Sequence, residues 1–190
     1  LGSADADAAG SDWDLNPDWR PGDAPRTEAA VLVPIVERPG APTVLLTVRA
    51  DALSKHAGQI AFPGGRLDPG ETAEAAALRE AEEEIGLGAE AVAVAGRSSR
   101  YETVTGYAVT PVVGFVRPGF TLALNTDEVA DAFEVPLSAL MDSMAFEHRF
   151  LEGADGRRRY YYAVAWEGRL IWGATAGMLR ALRRRLFGDV

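Results

Sequence analysis

Residues Gly65 to Leu87 read GRLDPGETAEAAALREAEEEIGL. The spacing predicts a helix over 73–85, with Thr72 placed to cap its first turn and Gly86 to end it. Leu78, Ala81 and Ile85 share a face that can dock on a sheet. Glu80, Glu83 and Glu84, at i, i+3 and i+4, share another. Like charges at that spacing repel by a few tenths of a kcal/mol per pair, so a cluster of this kind calls for a cation. Three carboxylates suit a hard ion such as Mg²⁺ or Mn²⁺, which takes oxygen ligands and keeps several waters. Arg79, four residues before Glu83, can orient a carboxylate, although the same pair also serves plain helix stabilisation. Taken alone, the glutamates read equally well as a solvated surface helix.

Working outward, Ala29–Val36 and Thr43–Arg49 are apolar, β-branched runs separated by a Pro- and Gly-containing turn, a strand–turn–strand pattern. Further strands are expected at 92–96, 107–116 and 121–124, with a short helix near 136–141. A hairpin is expected from 146–150 and 159–166, turning through Gly153-Ala154-Asp155-Gly156, and a last helix over 174–187. Interleaved helices and strands give an α/β or α+β class with a mixed sheet. Residues 1–28, rich in Gly, Ala, Asp and Pro, read as a flexible lead-in that packs locally through Trp13 and Trp19, ahead of one domain over 29–190.

The chain has 190 residues, 47% of them hydrophobic, which suits one domain with a real core. There are no cysteines, so disulfides and thiolate metal sites are excluded. No apolar run approaches a membrane span and no signal pattern opens the chain, so a cytoplasmic location without membrane contact is expected. The net charge of −9 argues against nucleic acid as a partner, because phosphate backbones require excess Lys and Arg. A small phosphorylated substrate remains compatible, since metal ions carry the positive charge.

The glutamate stretch matches the Nudix box, G-x5-E-x7-R-E-U-x-E-E-x-G-U with U apolar. The matching residues are Gly65, Glu71, Arg79, Glu80, Ala81, Glu83, Glu84, Gly86 and Leu87. Seven fixed positions coincide by chance roughly once in 10⁸ windows. Ala81 is smaller than the residue usual there. The chain thus resembles the Nudix hydrolases, which implies an α/β/α sandwich around a mixed sheet, with the box as a loop–helix–loop. It also implies metal-dependent hydrolysis of a nucleoside diphosphate linked to another group. By position, Glu80, Glu83 and Glu84 become the metal ligands, with Glu80 or Glu83 also orienting or deprotonating the attacking water. Glu71 braces the loop and Gly65 lets it approach the helix. Glu128, in a loop outside the box, is the candidate general base, with solvent exposure as the competing reading.

A second stretch, His56-Ala57-Gly58-Gln59-Ile60-Ala61-Phe62-Pro63-Gly64-Gly65, resembles the signature of the coenzyme A pyrophosphatases. The similarity continues through Val104–Tyr107, Thr110–Gly114, Asp127–Val129, Glu134–Leu137 and Ile171–Gly177. It implies cleavage of coenzyme A into 4′-phosphopantetheine and 3′,5′-ADP, and a possible homodimer. The implied substrate contacts are Arg49, Lys55, His56, Gly58, Gln59, Phe62, Gly64 and Gly65. Where that subfamily carries Arg, this chain has Ser54, leaving Lys55 or Arg49 to substitute. A loop histidine such as His56 is as often structural as substrate-binding. The run Arg180, Arg183, Arg184 and Arg185 reads either as a solvated helix end or as a contact for a 3′-phosphate. Two rivals remain: another nucleoside diphosphate substrate, and a catalytically silent binding module.

Overall fold

The computed structural model describes residues 10–20, 22, 24–50, 58–153 and 155–188. Lys55 and His56 therefore lie outside the described residues. The element order is β1 (Gly10–Ser11), β2 (Thr27–Val36), β3 (Thr43–Arg49), β4 (Ile60–Ala61), β5 (Gly64–Arg66), α1 (Ala73–Ile85), β6 (Val92–Arg97), β7 (Tyr101–Glu102), β8 (Tyr107–Val116), β9 (Val129–Pro136), α2 (Leu137–Met141), β10 (Glu147–Glu152), β11 (Arg158–Trp166), β12 (Arg169–Trp172) and α3 (Ala174–Phe187).

The centre is the parallel pair β2 and β8, in register from Thr27 opposite Tyr107 to Val36 opposite Val116. Both strands are covered on both faces, which is why they read as near-continuous apolar runs. Antiparallel β3 and β5 extend the free edge of β2, β6 and β7 extend that of β8, and β4 and β9 pair with β3. Alternation along β2 splits the core in two. Ala29 and Val33 face a cluster with Leu140 of α2 and Leu179 and Leu182 of α3. Ala30, Leu32 and Val36 face Ala76, Ala77, Ala81 and Ile85 of α1. The result is the expected helix–sheet–helix sandwich around a mixed sheet. A smaller antiparallel sheet, β10-β11-β12, packs on the α3 side. Among the described residues no helix is long and apolar enough to cross a membrane.

Three local departures have physical causes. Residues 121–124 are not a strand. The Ala123 N–H donates to the Ile85 carbonyl at 2.9 Å and the Asn125 N–H to that of Glu84 at 2.9 Å, so this segment satisfies the carbonyls left over at the end of α1. The segment 129–136 is a full strand along β3, bulged between Val48 and Arg49. β12 continues the expected hairpin through a two-residue turn, Glu167 (φ 45°) and Gly168 (φ 76°).

The described part of the N-terminal stretch is tied down. β1 pairs in parallel with β7. Asp12 accepts from the Tyr101 hydroxyl at 3.0 Å and from the Val104 N–H at 2.8 Å. The Asn16 side-chain amide donates to the Tyr160 carbonyl at 2.8 Å and accepts from the Tyr160 N–H at 2.8 Å, standing in for a missing strand. Trp13 is buried, and Trp19 lies under the Arg157 guanidinium at 4.5 Å. Residues 10–20 thus form a strap that staples the small sheet to the large one.

Candidate active site

α1 begins where the Thr72 hydroxyl accepts from the Ala75 N–H, and ends where Gly86, at φ 69°, turns its own N–H back on Ala81 and Glu82. The face it buries is Ala73, Ala76, Ala77, Ala81, Glu84 and Ile85, with Leu78 half-buried beside it. The small side chains on this face suit a close approach to β2 and β8, which accounts for alanine at position 81. It also carries Glu84 into the interior, where only 4% of the residue is exposed.

The other acids are organised by Arg79. Its guanidinium donates to both oxygens of Glu71 at 3.0 Å, to Glu80 at 2.9 Å, to Glu83 at 3.1 Å and to the Arg66 carbonyl at 3.2 Å. It therefore ties the loop before α1 to the acidic face of the helix. Hydrogen bonding to Arg79 holds the Glu71 carboxyl below the usual carboxylate range, helped by the Asp68 N–H. Burial pushes the Glu80 carboxyl up, and Arg79 opposes that push. Among the described residues Glu84 makes no such ion pair. It accepts one hydrogen bond from the Gly64 N–H at 3.1 Å, and burial, with the nearby charges of Glu80 and Glu128 adding, raises its carboxyl to about 7. Arg49 opposes that rise from across the cavity.

The glycine pair lets the helix reach its destination. A Cβ at Gly65 would collide with the Glu80 carboxylate, and one at Gly64 with the Ala30 carbonyl. Gly65→Ala is accordingly expected to keep the fold and lose about 10- to 100-fold in kcat, the usual cost of displacing a reacting group by about an ångström. A steady-state assay showing the wild-type rate would mean that Glu80 can move aside without consequence.

These groups open on a cavity of about 480 Å³, within the usual range for a small-molecule site. Of the residues expected from sequence, Arg49, Gln59, Phe62, Gly64, Gly65, Glu80, Glu84 and Glu128 all line it. Glu128 is held by the Asn125 side-chain amide at 3.3 Å, and its carbonyl accepts from the Ala50 N–H at 2.8 Å. Among the described residues the Arg49 Nε is buried without a hydrogen-bond partner. Gly58 is not part of the lining. At φ 69° it donates its N–H to the Arg49 carbonyl at 3.0 Å, so its contribution is to the turn that ends beside Arg49. Glu83 and Arg79 are likewise outside the lining, Glu83 being turned toward Arg79. Among the described residues no three carboxylates stand together closely enough to form a ligand shell.

Sequence reading missed the rest of the lining, including Arg66, whose guanidinium grips the Tyr107 hydroxyl at 2.8 Å, and Asp12, Arg159 and Met178. The alternating faces of β11 were the available signal for Arg159. Nothing in the first 28 residues marks Asp12 as part of a cavity. The C-terminal arginines serve structure: Arg183 donates to the Met141 carbonyl and Arg180 stacks on Tyr162 at 4.6 Å.

The NUDIX domain family profile matches residues 26–164. The uncharacterized Nudix hydrolase NudL of Yersinia pestis (strain Pestoides F) is 43% identical over 164 residues, which are 86% of this chain and 81% of that protein. The crystal structure of the Nudix hydrolase RenU from M. smegmatis is similar with a TM-score of 0.57 and 26% identity, covering 86% of this chain and 87% of that one. A C. elegans Ap4A hydrolase in binary complex, at 22% identity and a TM-score of 0.51, covers 58% of this chain and 80% of its own, and shares the fold.

Proposed function

The chain belongs to the Nudix hydrolase family, and from that premise we propose that it cleaves the diphosphate bond of coenzyme A or a close derivative, releasing 3′,5′-ADP and 4′-phosphopantetheine. The observation that carries the reading is the convergence of Glu80, Glu84, Glu128 and Arg49 on one cavity with Gln59 and Phe62, which belong to the signature shared with coenzyme A pyrophosphatases.

The donor set fits a divalent cation. Its members are carboxylates, and Glu84 is buried beside other acids with its carboxyl raised, a state that a bound cation relieves. Glu80 and Glu84 would hold Mg²⁺ or Mn²⁺ from the cavity wall, with Glu83 joining them once its carboxylate leaves Arg79. When bound, the ion neutralises diphosphate charge and makes a water more acidic. The chain's own residues do the remaining work. Arg49, with its Nε unspent, meets a diphosphate oxygen beside the acids. Glu128 takes the proton of the attacking water, held for that role by Asn125. The Arg79 network keeps Glu80 and the loop in place, because phosphoryl transfer depends on positioning and charge more than on covalent chemistry. Gln59 and Phe62 orient the substrate against the cavity wall.

Product analysis tests this, using coenzyme A beside ADP-ribose, NADH and a deoxynucleoside triphosphate, with Mg²⁺, with Mn²⁺ and with chelator. The expected result is metal-dependent release of 3′,5′-ADP, at least about tenfold faster than any competitor is cut, a margin worth about 1.4 kcal/mol in the transition state. Faster turnover of another compound keeps the hydrolase and discards coenzyme A. Turnover of none would favour a silent binding module.

A further inference from the structure

The cavity has a second wall that the diphosphate chemistry leaves unused. Asp12 of the strap, Thr103 and Thr105 of the turn before β8, Arg159 of β11, Trp172 at the end of β12 and Thr175 at the start of α3 form it. The strap fixes this wall in place. Asp12 holds the Val104 N–H of the threonine-bearing turn, and Asn16 clamps both backbone groups of Tyr160, the residue after Arg159.

Arg159 is half-buried and makes no hydrogen bond or ion pair among the described residues. It faces Asp12 electrostatically, yet both oxygens of that carboxylate are already engaged, by the Tyr101 hydroxyl and the Val104 N–H. The neighbouring cations are committed elsewhere. Arg66 grips the Tyr107 hydroxyl, Arg180 covers the Tyr162 ring, and Arg183 donates to two backbone carbonyls. A guanidinium with its donors unspent in a partly desolvated cavity suits a phosphate or a carboxylate, because its planar fork can give two parallel hydrogen bonds, and of the two a nucleotide substrate carries phosphate.

We propose that Arg159 is a specificity-determining residue that receives a phosphate monoester carried by the substrate apart from the scissile diphosphate. The proposal rests on the diphosphatase reading above and deepens it: in coenzyme A the group is the 3′-phosphate. A pocket that pairs this phosphate discriminates against the analogue lacking it, since the guanidinium is then left desolvated and unpaired.

The test compares coenzyme A with 3′-dephospho-coenzyme A as substrates of the wild type, Arg159→Ala and Arg159→Lys. A charge-assisted contact of this kind corresponds to roughly a 10- to 100-fold effect. Arg159→Ala is expected to raise KM for coenzyme A by about that factor with kcat changed less than about threefold, and to leave 3′-dephospho-coenzyme A nearly untouched. Arg159→Lys is expected to keep part of the preference, with the charge but not the fork. Calorimetric binding of adenosine 3′,5′-bisphosphate against AMP is expected to lose the same preference in Arg159→Ala. An equal loss on both substrates, or no loss on either, overturns the phosphate subsite while the hydrolase reading stands. Failure of the wild type to cut either compound removes the coenzyme A reading and this proposal together.

Discussion

Glu84→Gln is expected to lower kcat on the order of 1,000-fold or more, about 4 kcal/mol of transition-state stabilisation, while leaving a folded protein that is more stable at pH 8 in chelator. Both halves follow from one placement. Glu84 is almost wholly buried, bonded to the Gly64 N–H, with its carboxyl raised to about 7 from an ordinary 4.5. A folded-state value above the unfolded one means that folding favours the protonated form. The associated stability is fully present below pH 4.5 and is lost as pH rises through 7, amounting to roughly 3 kcal/mol across that window. Glutamine keeps an oxygen for the Gly64 N–H and never ionises. The stability difference between variant and wild type should therefore be small at pH 4 and should grow toward pH 8. Burial raises Glu80 and Asp12 in the same direction, so the comparison with the variant, not the wild-type slope alone, isolates Glu84. Mg²⁺ or Mn²⁺ should cancel the wild-type loss at pH 8 and do little for the variant. Denaturant midpoints at the two pH values, with and without metal, check this. A Glu84→Gln enzyme with near-wild-type turnover would remove Glu84 from the chemistry.

The second large effect is expected from Arg79→Ala, at about 100- to 1,000-fold in kcat with a loss of about 1–3 kcal/mol of stability. Arg79 is a positioning residue. One guanidinium joins Glu71 in the loop to Glu80 and Glu83 on the helix, and also caps the Arg66 carbonyl. Without it, Glu71 and Glu80 lose their counter-ion, and the loop bearing Gly65 is no longer tied to α1. Arg79→Lys should recover little, because an ammonium cannot bridge Glu71 and Glu80 at once with paired hydrogen bonds. Full activity in Arg79→Lys would show that positive charge alone suffices and that the fork is incidental. A kcat loss with metal-binding affinity unchanged would place the effect on the loop rather than on the ion.

Much of this was legible before the structure. α1 spans the residues its caps predicted, because Thr72 and Gly86 act locally and need nothing from the rest of the chain. α3 covers the predicted 174–187 for a similar reason, with Gly173 before it and Gly188 after it. Misreadings arose where tertiary partners decide. Thr121-Leu122-Ala123-Leu124 alternates like a strand, but it completes the end of the helix that closes at Ile85. β9 carries Asp131 and Glu134 among its apolar residues. They are accommodated because Arg169 and Arg38 meet them at 2.9 and 2.6 Å, partners that local pattern does not reveal. β12 had a readable signal in Glu167-Gly168, two residues at positive φ between Trp166 and Arg169, where a two-residue hairpin turn prefers glycine. In the site, box spacing pointed to Glu80 and Glu84, which line the cavity, and to Glu83, which does not, whereas the opposite wall is assembled from the strap, β11 and α3, which no single stretch of sequence brings together.

The strap has a consequence for the order in which the molecule forms. Asp12 meets partners 89 and 92 residues further along, and Asn16 one 144 residues further along. Contacts so remote in the chain close the largest loops, so they contribute late, after β7 and β11 exist to receive them. The segment that finishes the cavity is therefore expected to arrive last in folding and to detach first in native-state hydrogen exchange. Access to the cavity and global stability are in that sense separate properties of this chain, and changes near its beginning can tune the first while leaving the second alone.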